Sequence, residues 1–167
     1  MTERGEFRVR VTKDYLVFAS AHFITFAGHR CETLHGHNYR VGVAVEGALD
    51  PASWYVVDFG VLKGIMRRLC DEIDHKVLLP TTNPKIGVAV EGEFVHVTYD
   101  GRPRYVFPMG DCALLPVPNT TAEMLAELLA GRLREELAGA GAVGLTVVEI
   151  EVEESFGQSA TCRMRIG

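Results

Sequence analysis

His35 and His37, two histidines with one residue between them, carry the most specific chemistry in this 167-residue chain. In an extended segment alternate side chains share a face, so both imidazoles can close on one ion. His22 stands at the end of an earlier strand-like run, and a hairpin pairing would bring it alongside. Three neutral imidazoles around an ion with one open position form the donor set of a catalytic zinc. A lone His-x-His more often marks a glycine-punctuated turn with two solvated rings. The third histidine, together with Cys31 four residues before His35, favours the metal. Zinc held this way polarises a substrate oxygen and acidifies the adjoining C–H bond, and such chemistry needs a base. Cys31 is the candidate, since a dication and a basic neighbour lower a thiol from its reference value of ~8.5. Two alternatives stand beside it: a structural cysteine, or a fourth ligand that closes a purely structural zinc site.

Asp74-His75 offers a second base with its own orienting carboxylate, sharing the Cys31 proton. The plain alternative is a histidine complementing a helix C-terminus. Glu151, Glu153 and Glu154 lie on one strand-like segment. Glu154 falls on the apolar side with Ile150 and Val152, where a carboxylate is costly unless it meets a partner. The N–H edge of a guanidine-like heterocycle would be such a partner; a solvated acidic strand edge is the alternative. His29 and His96 have no partners in sequence and read as surface or structural residues. Cys70, Cys112 and Cys162 read as small core residues, without disulfides.

The elements that must position these groups follow from periodicity. Phe7 to Val11 and Tyr15 to His22 read as two strands, and His37 to Val45 as a third. Asp58 caps a helix carrying Phe59, Leu62, Ile65, Met66, Leu69 and Ile73, which ends near Asp74-His75. A second helix starts at Thr120, where Thr120-x-x-Glu123 fits a capping box, and stops in Gly139 to Gly144. Strands Thr146–Glu153 and Ala160–Ile166 close the chain. Between the helices, Ile86–Val90, Phe94–Tyr99 and Arg104–Phe107 form a small antiparallel meander with an Asp100-Gly101 hairpin turn. The order is α+β, with one antiparallel sheet and two helices packed on one face. Unpaired edges of such a sheet favour a homo-oligomer.

Seventeen Lys+Arg against 22 Asp+Glu give a formal charge of −5, with 47% hydrophobic residues. This is globular composition, and the absence of a basic run argues against a nucleic-acid partner. No stretch approaches the ~20 apolar residues of a membrane span. The charged N-terminus lacks the apolar core of a signal peptide, so a cytoplasmic protein is expected.

Taken together, these residues resemble the 6-pyruvoyl-tetrahydropterin synthase/6-carboxytetrahydropterin synthase family. The resemblance rests on FASAHF around His22, CETLHGHNY from Cys31 to Tyr39, VVDFGVLK from Val56 to Lys63 and DHKVL from Asp74 to Leu78. NTTAEMLA from Asn119 to Ala126 and VEES from Val152 to Ser155 complete it, so that residues 8–80 and 116–166 are covered. It implies one T-fold (tunnelling-fold) domain over residues 1–167, whose sheets close an oligomeric barrel. Trimers would stack as hexamers, with sites between subunits. It implies Zn2+ on His22, His35 and His37, and Cys31, Asp74 and His75 as proton-transfer residues. Glu154 would anchor the pterin ring, with Thr121, Glu123 and Glu32 at the same pocket. The substrate would be 7,8-dihydroneopterin triphosphate.

Two features depart from the family pattern. Residues 81–115 exceed the usual short connection, so the meander reads as an insertion. Glu32 follows Cys31 directly, and a folate-linked branch of the family uses a glutamate close before His-Gly-His. The Cys-Glu-x-x-His-Gly-His string resembles a branch that carries both features, and its compact Cys-x3-His-Gly-His spacing looks like the bacterial deazaguanine (queuosine) pathway enzymes, which make 6-carboxy-5,6,7,8-tetrahydropterin. A 6-pyruvoyl-tetrahydropterin synthase, a 6-hydroxymethyl-dihydropterin-forming enzyme and a non-catalytic zinc-containing T-fold binding protein are the alternatives.

Overall fold

The computed structural model describes residues 5–27 and 30–166; the expectation for His29 lies outside the described residues. Strand β1 (Phe7–His22) runs unbroken where the sequence reads as two strands. Its pairing with β4 slips between Thr12 and Val17, a bulge that absorbs the polar Thr12-Lys13-Asp14 run without ending the strand. Before the slip Val11 is buried; after it Leu16, Phe18, Ser20 and His22 are.

A short hairpin, β2 (Thr25–Phe26) with β3 (Arg30–Cys31), leads into β4 (His35–Gly47). Helix α1 (Phe59–Asp71) begins at Asp58, whose carboxylate accepts from Gly60 N as the sequence predicts. Strand β5 (Val77–Pro80) follows, and then the meander: β6 (Ile86–Glu91), β7 (Phe94–Tyr99) and β8 (Arg102–Pro108). At its hairpin, Asp100 and Gly101 take φ of 48° and 74°, the left-handed pair that a tight two-residue turn requires. A short 3-10 turn leads to β9 (Cys112–Leu115), helix α2 (Ala122–Gly139), β10 (Leu145–Ser155) and β11 (Gln158–Arg165).

The main sheet has the order β11-β10-β4-β1-β5-β9. Its first four strands are the antiparallel set expected from periodicity. The parallel strands β5 and β9 are an addition. Neither shows alternation, because both of their faces are covered: Leu78 joins the main core while Leu79, its neighbour, joins a second one. Both helices pack on one face of the main sheet, where Leu62, Met66, Leu69, Leu125, Leu129 and Leu133 meet Phe18, Tyr39, Val43 and Ile150. The second core lies under the three-stranded sheet and is built from Phe23, Leu79, Ile86, Val95 and Val97. Cys70 is buried as expected, whereas Cys112 and Cys162 are only half-buried, at the margins of the two cores.

The capping box is displaced by one residue. Thr121, not Thr120, is the N-cap of α2, its hydroxyl accepting from Met124 N. Glu123 then sits in the first turn, where its charge suits the helix dipole but cannot reach back to the cap. Thr120 is buried instead, its hydroxyl donating to the Phe23 carbonyl at 3.1 Å.

Candidate metal centre

The β1–β4 register pairs His22 with His35 and Ser20 with His37, which puts all three rings on the helix-facing side beside Tyr39. Their ligand atoms lie within 4.8 Å of one another. His22 is 1% exposed. Its Nδ1 is 2.8 Å from the Thr120 carbonyl, and a carbonyl only accepts, so Nδ1 carries the proton and Nε2 a lone pair. His35 is set the same way by the Thr33 carbonyl at 2.9 Å from its Nδ1. Burial pushes the His22 pKa below its ordinary value and keeps the ring neutral, as a metal ligand must be.

The strongest sign of a cation comes from Glu154. The β10 strand brings its carboxylate into the cluster, with Oε1 3.3 Å from His22 Nε2 and 3.7 Å from His37 Nε2. The buried Nε2 of His22 has no hydrogen-bond partner. An imidazole lone pair and a carboxylate oxygen, both acceptors, thus face each other across a gap that a positive ion would fill. The donor set fits a metal.

Cys31 ends β3, half-buried, with its thiol 3.7 Å from the Glu32 carbonyl. The basic neighbour expected from sequence exists, and it is Arg104 of β8. Its effect is outweighed: burial raises the Cys31 thiol above its ordinary pKa while the guanidinium opposes the rise. A lowered thiol is therefore not a property of the chain by itself. Glu32 leans toward the cluster, its Oε2 3.7 Å from His35 Nδ1.

Asp74 and His75 lie elsewhere. Asp74 Oδ1 accepts from Ala19 N at 2.7 Å, and its Oδ2 is 2.8 Å from His75 Nδ1. The carboxylate–imidazole contact expected of the pair is present, and the hydrogen bond from Ala19 N holds Asp74 below the usual carboxylate range. Yet Ala19 and Ala21 point away from the face that carries His22. His75 lines an open groove with the outward-facing Ala19, Ala21, Gly36 and Asn38, and the same groove reaches Ser20 and His37. Within one chain no hydrogen bond or ion pair joins the pair to Cys31 among the described residues.

A family model for 6-pyruvoyl tetrahydropterin synthase matches residues 10–165. The chain belongs to that family. A relative in Methanocaldococcus jannaschii, assigned as a 6-carboxy-5,6,7,8-tetrahydropterin synthase, is 34% identical over 148 residues, covering 89% of this chain and 90% of that one. The 6-carboxy-5,6,7,8-tetrahydropterin synthase of Aquifex aeolicus is 28% identical, covering 76% and 72%. Among solved structures, 6-pyruvoyl tetrahydropterin synthase from Plasmodium vivax superposes with a TM-score of 0.88 at 30% identity, covering 98% of this chain and 100% of that one. A variant of the same Plasmodium vivax protein, with a catalytic glutamate replaced by alanine, superposes equally well.

Several residues of this family member escape sequence reasoning. Thr120 fixes the His22 tautomer through its backbone, which no side-chain pattern announces. Asn119 accepts from Thr25 N and donates to the Thr25 carbonyl, mooring the hairpin that carries Cys31. Tyr39 abuts the histidines, its hydroxyl pushed up by burial and by the Glu154 carboxylate; alternation places it in the core but gives no hint of that neighbour. Thr121 and Glu123 occupy the cap and first turn beside Thr120, and Glu123 is exposed.

Proposed function

We propose that the chain is a zinc-dependent lyase that converts 7,8-dihydroneopterin triphosphate to 6-carboxy-5,6,7,8-tetrahydropterin. The observation that carries this is the His22–His35–His37 cluster with its free Nε2 facing Glu154, in a chain whose relatives bear the 6-carboxy-tetrahydropterin synthase name. Three imidazole donors leave a zinc coordination position open for substrate, which distinguishes a catalytic site from a closed one. When bound, zinc polarises a side-chain oxygen of the substrate and makes the neighbouring C–H more acidic.

The chain's own groups do the rest. Cys31 takes the proton from the substrate side chain, its thiolate favoured by Arg104 and by charge at the cluster. Glu154 offers two acceptor oxygens to the N–H edge of the pterin. Thr121 and Glu123 flank that pocket. Asp74 holds His75 in one orientation to return protons, and the exposure of that ring supports its acting on the site of a neighbouring copy. The open edges β11 and β9 suit closure into a homo-oligomeric barrel, which we take as hexameric. No helix among the described residues is long and apolar enough to cross a membrane, and four free thiols suit a reducing cytoplasm.

Glu32 supports a second reading, formation of 6-hydroxymethyl-dihydropterin, because it leans on His35 and because a glutamate is catalytic in the Plasmodium vivax relative. One experiment separates the readings. Zinc-loaded protein is incubated with 7,8-dihydroneopterin triphosphate and the products are identified by mass spectrometry. The 6-carboxy product with released acetaldehyde is expected. A 6-pyruvoyl product without acetaldehyde moves the chain to triphosphate elimination alone, and unconsumed substrate sinks the enzyme reading. Cys31→Ala should lower the 6-carboxy product by roughly 10²-fold or more, as loss of a general base does. Glu32→Ala should instead remove any 6-hydroxymethyl product.

A further inference from the structure

The segment between β3 and β4, residues 32–34, belongs to no strand ladder, so its backbone groups need partners from elsewhere. Strand β8 supplies two. Arg104 donates from Nη2 to the Glu32 carbonyl at 2.7 Å, and the Tyr105 hydroxyl accepts from Leu34 N at 3.2 Å. The two contacts bracket Glu32 and Thr33. Both side chains are braced in turn: the Arg104 guanidinium lies over the Tyr105 ring, and that ring packs on Phe23 and stacks on Phe107. Phe23 directly follows His22, while Cys31 and Leu34 pack into the core beneath the three-stranded sheet. From the other side the main fold holds the same segment through Glu32 N to the Ile24 carbonyl at 2.9 Å.

We propose that the three-stranded sheet is a clamp on the Cys31–Leu34 segment, and that Arg104 and Tyr105 are positioning residues for Cys31 and Glu32. A cationic donor on a backbone carbonyl is among the stronger hydrogen bonds a protein makes. The same Glu32 carbonyl lies 3.7 Å from the Cys31 thiol, so the carbonyl that Arg104 holds is the one against which Sγ rests. The clamp stands on the contacts alone; its effect on turnover rests on the reading of Cys31 as the base.

The test compares Arg104→Ala, Arg104→Lys and Tyr105→Phe in the zinc-loaded protein. Amide hydrogen exchange over residues 32–34, zinc content, kcat and KM are measured together. Arg104→Ala should speed exchange across the segment and lower kcat about tenfold or more, since small misplacements of a reacting group are that costly. KM and zinc content should stay within about twofold, and Arg104→Lys should recover most of both losses, as a retained cationic donor does. Tyr105→Phe keeps the ring packing, should speed exchange at Leu34, and decides the matter if Arg104→Ala does not fold. Unchanged exchange in these variants overturns the clamp. Faster exchange with unchanged kcat overturns the positioning role. A wild-type protein that consumes no pterin triphosphate fails the proposed function, and the exchange measurements then decide the clamp by themselves.

Discussion

Two histidine sites flank the end of β1 on opposite faces of one sheet, and they are built in opposite ways. On the inner face His22 is 1% exposed, its tautomer fixed by the Thr120 carbonyl and its charge suppressed by burial. On the outer face the His75 side chain is 83% exposed, carried on a left-handed residue with φ of 54° and held by Asp74. The inner site brings its donor atoms together within one chain. The outer pair is oriented but faces solvent, open to a counterpart from another copy. Metal binding needs neutral, converging lone pairs, which a fold supplies by burial. Proton shuttling needs a ring that a reactant can reach, and exposure provides that.

The inner site gives the largest expected effect. His35→Ala or His37→Ala should abolish zinc binding and lower turnover by roughly 10³-fold, since a metal contributes several kcal/mol of transition-state stabilisation. Far-UV circular dichroism should remain folded, as it should after chelation, because the apolar core under the two helices holds the sheet without the metal. Unfolding on metal loss would mean that Cys31 closes a structural site instead.

The outer pair gives the next. Cys31→Ala and His75→Ala should each cost roughly 10²-fold separately. Refolded together, the two inactive variants should regain activity, because some sites then combine an intact Cys31 with an intact His75 from another copy. Mixed protein that stays as inactive as its parents would return both groups to one chain and contradict the geometry.

The smallest effect concerns acid stability without metal. His22 in the folded chain titrates below its ordinary 6.5 because burial disfavours the charged ring. The unfolded chain therefore binds more protons in that range, and stability should fall as the pH drops below about 6.5. Asp74 acts later: its folded pKa is depressed from 3.8, so its contribution is present above 3.8 and lost as the pH falls through the folded value. Urea unfolding midpoints across pH 8 to 3 should show both stages, and His22→Gln should remove the first. A flat profile between pH 7 and 5 in the wild type would refute the buried neutral ring.

How far the sequence reveals all this depends on the range of each signal. Alternation and helical spacing announce β1, β4, β10, β11 and both helices, because each buries one face. They miss β5 and β9, whose four residues feed a different core on each side. The histidine triad is visible as type and spacing, and Glu154 as a carboxylate on an apolar face. Its approach to His22 depends on the β10–β4 register, which no local pattern encodes. Arg104 lies 73 positions from Cys31, and the separation of His75 from Cys31 is a fact about faces, so neither could be read along the chain.

The bulge in β1 carries a consequence of its own. Between Thr12 and Val17 the strand advances five residues while its partner advances two, from Gly42 to Arg40, an odd excess. That excess inverts the strand's parity: odd-numbered residues face inward before it, even-numbered ones after it. Deleting one residue between Lys13 and Tyr15 would turn Phe18, Ser20 and His22 to the outer face and Ala19 and Ala21 inward, whereas deleting two would restore the phase. Lys13, Asp14 and Tyr15 are exposed, so their identities are loosely constrained while their number is strictly constrained. The metal centre depends, in this stretch, on counting.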